Sequence, residues 1–246
     1  PMTAPSSIVV LGAAGGIGSA VSRRIAQLGE PLLLAGRTAS TLQDLAAEVG
    51  GTPFTLDAIR PDHVEEAVSW AEANLGPVRG VVNAVGSIVL KPAHAMGAAD
   101  WDDIIATNLT SAFAAVRAGA KVMRGRGGSI VLFSSVAAGI GLANHEAIAA
   151  AKAGVEGLAR SAAATYARHG IRVNVVSPGL VRTPQSAGLL RSDAAEDASA
   201  KMHALGRVGE PGDIAPAVAW LLDPSTTWVT GEVIAVDGGF RNVRSR

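Results

Sequence analysis

Ile8-Val9-Val10-Leu11-Gly12-Ala13-Ala14-Gly15-Gly16-Ile17-Gly18, close to the start of a 246-residue chain, decides the fold. Four apolar residues in a row read as a strand covered on both faces. The glycines after it read as a tight turn, and the residues beyond as a helix. Glycine lets the backbone turn sharply and approach a pyrophosphate with no Cβ in the way. The following helix presents unpaired amides and the positive end of its dipole to that phosphate. A tight strand-to-helix turn wants glycine even without a ligand. What points to a nucleotide is the position of this turn, at the first junction of a repeating pattern.

That pattern runs the length of the chain. Short apolar runs predict strands over 8–11, 32–35, 53–56, 80–83, 129–133, 172–176 and 233–236. Stretches of helical period lie between them, over 18–28, 41–49, 62–75, 100–123, 147–169 and 211–222. Alternating strands and helices imply repeated βαβ units. The fold class is therefore α/β, a three-layer, doubly wound sheet of about seven mostly parallel strands with helices on both faces. No composition break, repeat or linker divides the chain, so 1–246 reads as one domain. The least regular part, 183–205, reads as an insert that forms a binding loop or a surface loop.

Composition narrows the function classes. Lysine plus arginine (21) equal aspartate plus glutamate (21), so the basic footprint of a nucleic-acid binder is missing. With no cysteine, disulfides, thiolate metal sites and a cysteine nucleophile are excluded; no metal site is expected. No apolar stretch is long enough for a membrane span. The first apolar run leads straight into the glycine turn, leaving no room for a signal peptide. Pro1 ahead of Met2 reads as an added residue. The expectation is a cytoplasmic protein acting on a small molecule.

The glycine spacing, Gly12-x3-Gly16-x-Gly18, differs from the Gly-x-Gly-x-x-Gly of ordinary dinucleotide folds. It resembles the short-chain dehydrogenase/reductase family, whose first motif is Thr-Gly-x-x-x-Gly-x-Gly; Leu11 stands in place of the threonine. The resemblance extends over nearly the whole chain. Asp57-Ala58 is similar to the family's adenine-contacting pair. Asn83-Ala84-Val85-Gly86 is similar to the Asn-Asn-Ala-Gly motif beside the nicotinamide ribose. Thr107-Asn108-Leu109 carries the asparagine that anchors a catalytic water chain, and Ser134-Ser135 the substrate-binding serine. Asn174-x3-Pro178-Gly179-x3-Thr183 resembles the Pro-Gly motif, whose backbone, through Val181, and threonine hold the nicotinamide carboxamide. Gly231-x5-Asp237-Gly238-Gly239 resembles the closing motif. The resemblance implies a cofactor held by Gly12, Ala14, Gly16, Ile17, Gly18, Asp57, Ala58, Asn83, Ala84, Gly86, Lys152, Pro178, Gly179, Val181 and Thr183, and an oxidoreductase that forms dimers or tetramers. The alanine- and glycine-rich 147–167 helix agrees with close helix packing between subunits, although alanine also simply favours helix.

The cofactor choice rests on Arg37, at the end of the second strand. NAD binders place an acidic residue there for the ribose 2′-hydroxyl. A guanidinium instead binds a 2′-phosphate through charge-assisted hydrogen bonds. Arg37 favours NADP(H), with NAD(H) possible if it is only a solvated loop residue.

One departure matters for chemistry. Family members carry Tyr-x-x-x-Lys, with the tyrosine 13 residues past the serine; counting from Ser135 reaches Ile148, and Lys152 follows four residues later. The resemblance assigns the missing tyrosine the role of proton donor. General acid catalysis is typically worth about 10²–10⁴-fold, or roughly 3–5 kcal/mol of barrier. Tyr166, the one tyrosine, lies too far along the helix to substitute. On a helical wheel His145 falls within roughly 20° of Lys152, and about 10 Å of rise away; His145-x6-Lys152 also matches the Tyr-x6-Lys interval of related enoyl reductases. Glu146 lies about 120° away and should face elsewhere. The candidate catalytic set is Ser135, Lys152, Asn108 and His145. Three functions stay open: an NADP(H)-dependent oxidoreductase acting on a small carbonyl, alcohol or activated C=C substrate with an altered proton donor, a nucleotide-binding pseudoenzyme with a regulatory or structural role, and a non-redox lyase or isomerase using the same pocket.

Overall fold

The computed structural model describes residues 6–243, so Pro1 and Met2 lie outside the described residues. Seven strands form one sheet: β1 (Ser7–Leu11), β2 (Leu32–Gly36), β3 (Thr52–Thr55), β4 (Val78–Asn83), β5 (Gly128–Phe133), β6 (Ile171–Pro178) and β7 (Val233–Val236). Their order is β3-β2-β1-β4-β5-β6-β7, and every pair is parallel. The helices are α1 (Gly16–Ala26), α2 (Ala39–Val49), α3 (Pro61–Asn74), α4 (Ala98–Ile105), α5 (Ser111–Met123), α6 (Glu146–Tyr166), α7 (Asp193–Lys201) and α8 (Pro211–Leu222). This is the doubly wound α/β fold.

Strand alternation makes the three layers. Val9, Leu11 and Leu33 face a core shared with Val64 of α3, Ala115 of α5 and Val155 of α6. Ile8, Val10 and Leu34 face the opposite core, with Val21 of α1, Leu42 of α2 and Ile214 of α8. Because β1 has β2 on one side and β4 on the other, the chain reverses its winding direction there. A crevice opens at the carboxyl ends of the strands at such a switch point.

Two expectations need correction. The 100–123 segment is not one regular helix: a π turn at Ala106–Thr110 separates α4 from α5. Its cause is visible, since the Asn108 side chain donates to the Ile104 carbonyl (3.0 Å) that a regular turn would engage. The 183–205 segment is also not merely irregular, because it contains α7. Ser192 caps that helix by accepting from the Ala195 amide (3.2 Å). Asp193 and Glu196 sit in its first turn and Lys201 in its last, which suits the helix dipole.

Candidate active site

A cavity of about 540 Å³ opens along the carboxyl ends of the strands. The β1–α1 turn forms one end. Gly12 has φ of +74°, and a Cβ there would sit 2.9 Å from the Ala84 carbonyl carbon and the Val85 amide nitrogen. Only glycine brings the two strand ends this close. A Cβ at Gly16 would meet Thr183 at 2.7 Å, so the segment beginning at 183 already lies across the turn. No side chain caps the first turn of α1, and no acidic residue stands in it. Its amides are left for an anion. Ala14, Ile17 and Gly18 complete this wall, and Arg37, at the end of β2, lines the same end.

Asp57 and Ala58 line the cavity after β3, and Ala84 and Gly86 after β4. Asn83 does not line it. It is buried beneath, donating to Ser111 Oγ (3.1 Å) and accepting from the Val85 amide (3.3 Å), and so stiffens the turn above. Pro178, Gly179, Val181 and Thr183 line the far wall. Gln185 donates to the Gly86 carbonyl, bridging the cavity. Nothing in the sequence signals that bridge, which joins residues 99 apart.

Asn108, Ser135, Ile148 and Lys152 converge on the middle of the cavity. Asn108 is held by Ser87, whose hydroxyl accepts from Nδ2 (3.0 Å) and whose amide donates to Oδ1 (3.1 Å). A Cβ at Gly86 would lie 3.1 Å from Asn108 Oδ1 and 3.5 Å from Lys152 Nζ, so the amide and the ammonium meet over that glycine. Ser135 Oγ accepts from the Ala137 amide (3.2 Å) and keeps its proton free to donate. Lys152 Nζ donates to the Phe133 carbonyl (3.0 Å). Burial with no carboxylate partner pushes its pKa down to about 8. Ser134 turns away and donates to the buried Glu156 carboxylate (2.8 Å).

Ile148 is 5% exposed and packs with Ile104, Ala147 and Ala151. It gives the cavity an apolar floor where a hydroxyl is otherwise expected. His145 is not on the lining. It precedes α6 with non-helical dihedrals (φ −106°, ψ 12°), so the wheel that placed it above Lys152 does not apply. Its Nδ1 instead donates to the Ala143 carbonyl (2.7 Å) on the exposed surface. Glu146 faces elsewhere, accepting from the Ala93 amide (3.4 Å).

Comparison with known proteins shows the family. Residues 12–241 match the family model described as enoyl-(acyl carrier protein) reductase. The chain is 36% identical to 2-(S)-hydroxypropyl-CoM dehydrogenase 3 of Xanthobacter autotrophicus, covering 94% of this chain and 95% of that one. The chain is a short-chain dehydrogenase/reductase. The inactive 2-(S)-hydroxypropyl-CoM dehydrogenase 2 of the same organism is 37% identical, over 89% of this chain and 98% of its own length. A short-chain type dehydrogenase/reductase from Mycobacterium ulcerans superimposes with a TM-score of 0.93 at 28% identity, covering 98% of this chain and 92% of the other. Membership makes this chain an oxidoreductase by kinship and implies an NAD(P)(H) cofactor. The residues present fit such a group: a glycine turn with no room for a Cβ, uncapped helix amides, and an arginine on the lining that makes no hydrogen bond or ion pair among the described residues. No helix among the described residues is long and apolar enough to cross a membrane.

Proposed function

We propose that this short-chain dehydrogenase/reductase is an NADP(H)-dependent reductase of a small carbonyl or activated C=C substrate, with Lys152 supplying the proton that a tyrosine would otherwise give. The observation that carries this reading is the buried Lys152 ammonium on the cavity lining, hydrogen-bonded to the Phe133 carbonyl but without a carboxylate partner, its pKa pushed down to about 8. An acid titrating near the working pH is well matched to general acid catalysis.

The β1–α1 turn would hold the pyrophosphate and Arg37 the 2′-phosphate. Asp57 and Ala58 would border the adenine, and Pro178, Gly179, Val181 and Thr183 the carboxamide. When bound, the cofactor supplies the hydride. Ser135 donates a hydrogen bond to the substrate oxygen. Lys152 would give one proton to the developing anion, become a neutral amine, and regain the proton from solvent through water held beside Asn108. The apolar floor at Ile148, continued by Val85, Ile88 and Leu180 on the lining, suits an apolar acceptor and excludes water from it.

A panel of aldehydes, ketones and enones, followed by NADPH oxidation, tests the assignment. Turnover should survive His145→Ala within about twofold and fall by about 10²-fold or more in Lys152→Met. Loss of turnover in His145→Ala would overturn the role given to Lys152. Ile148, together with the kinship to a relative named inactive, supports a second reading as a nucleotide-binding pseudoenzyme. NADPH binding without turnover on any acceptor would select it. Ala150, Ala153 and Gly157 leave a small-residue stripe on the outer face of α6. That stripe supports a homo-oligomer, a dimer or tetramer, which sedimentation measures.

A further inference from the structure

Helix α7 lies outside the strand–helix repeat, and one side chain just beyond it packs behind the 178–180 turn, on the side away from the large cavity. His203 is 3% exposed. Its Nδ1 lies 2.8 Å from the Ser199 carbonyl oxygen, and its Nε2 lies 3.2 Å from the Leu180 amide nitrogen. A carbonyl can only accept, and an amide N–H can only donate. The ring is therefore neutral, with its single proton on Nδ1: it gives to Ser199 and receives from Leu180. The ring also packs on Phe240, with centroids 5.0 Å apart. A Cβ at Gly179 would lie 2.7 Å from Nε2, so the turn and the imidazole fit closely.

Gly179 and Leu180 line the large cavity on one side and, with His203, a second cavity of about 210 Å³ on the other. One lone pair on Nε2 thus joins the end of α7 to the wall against which a carboxamide would rest. We infer that His203 is a positioning residue whose neutral form holds the 183–205 segment closed against the 178–180 turn.

A second proton would place an N–H against the Leu180 N–H and remove the link. The charged groups nearby already have partners. Both carboxylate oxygens of Asp237 are taken, by the Gly239 (2.8 Å) and Arg241 (2.9 Å) amides. Asp213 is paired with Arg207 at 2.7 Å, and Glu196 of α7 is bound by Arg182. Lys201, at the end of α7, is exposed, and the Arg241 guanidinium lies against Gly139.

The link stands on the protein alone; only its effect on cofactor affinity rests on the function proposed above. Tryptic cleavage at the exposed Arg191 and Lys201 reports opening in the ligand-free protein. At one fixed pH, cleavage should be faster in His203→Phe, which keeps a ring but lacks the acceptor, than in wild type, and equal rates would overturn the proposal. Nitrogen NMR of the unaltered protein decides independently if the variant does not fold: an Nδ1–H tautomer is expected, and an Nε2–H tautomer overturns it. NADPH titrations should show weaker binding to His203→Phe than to wild type. Absence of any NADPH binding would refute the nicotinamide reading while leaving the cleavage result to judge His203.

Discussion

Restoring a phenol at position 148 separates the chemistry of the site from its packing. Ile148 stands one helical turn before Lys152, about 6 Å of rise away, with one side on the cavity and the other against Ile104, Ala147 and Ala151. In Ile148→Tyr the larger ring overpacks that cluster, at a cost of about 1–3 kcal/mol. For a chain of this size each kcal/mol lowers Tm by about 2–4 °C. The hydroxyl projects into the cavity beside Ser135 and Lys152 and restores a general acid worth about 10²–10⁴-fold. Ile148→Phe carries nearly the same ring without the hydroxyl, so it should show a similar loss of Tm and no gain. The assay is NADPH oxidation with simple ketones and aldehydes, beside thermal unfolding and NADPH titration of all three proteins. If both variants bind NADPH, lose Tm alike and neither gains carbonyl reduction, then Ser135, Asn108 and Lys152 are not placed for that reaction.

Further outcomes follow from other residues. Lys152 loses proton affinity on folding, from the ordinary 10.5 to about 8, a penalty of about 3 kcal/mol. The unfolded chain binds the extra proton between these values, so the penalty is full below pH 8 and is relieved as pH rises toward 10.5. The stability of wild type relative to Lys152→Met, from denaturant unfolding, should therefore rise across that window; a flat difference would contradict the burial argument. Arg37→Asp should shift binding selectivity from NADPH toward NADH in calorimetry, and an unchanged ratio would remove Arg37 from the cofactor site. Gly12→Ala puts a side chain at φ +74° and against the Ala84–Val85 backbone. It should cost at least about 1–2 kcal/mol from the dihedral alone, and a neutral effect in chemical denaturation would show that the turn can relax.

Most strands were legible because a buried strand reads as a near-continuous apolar run, as 8–11 and 130–133 show. Parallel strands covered on both faces favour such runs. The first turn was legible because its glycine spacing reflects steric needs that no other residue meets. What stayed hidden depends on side chains meeting across long sequence distances or on where a helix begins. His145 was placed beside Lys152 by extending the helical period one residue past the true start of α6. At that residue the backbone leaves the helix and the ring turns to Ala143. The π turn follows from one asparagine competing for a carbonyl, which periodicity over 100–123 does not resolve. Helix α7 carried readable signals, Ser192 ahead of acidic residues and Lys201 at the end, but its alanine-rich, polar composition masked them. The bridges from Gln185 to Gly86 and from His203 to Leu180 belong to the folded chain alone.

The wide turn at 106–110 acts as a phase adjuster between two helices with different obligations. Helix α5 must set its alanines against the sheet, whereas α4 must aim Ile104 at Ile148. One surplus residue in the turn lets each keep its own angular setting, because a single residue is worth about 100° of rotation. Deleting one residue there would give a smoother rod and swing Asn108 out of the cavity. The irregularity therefore fixes the angular alignment on which the site depends.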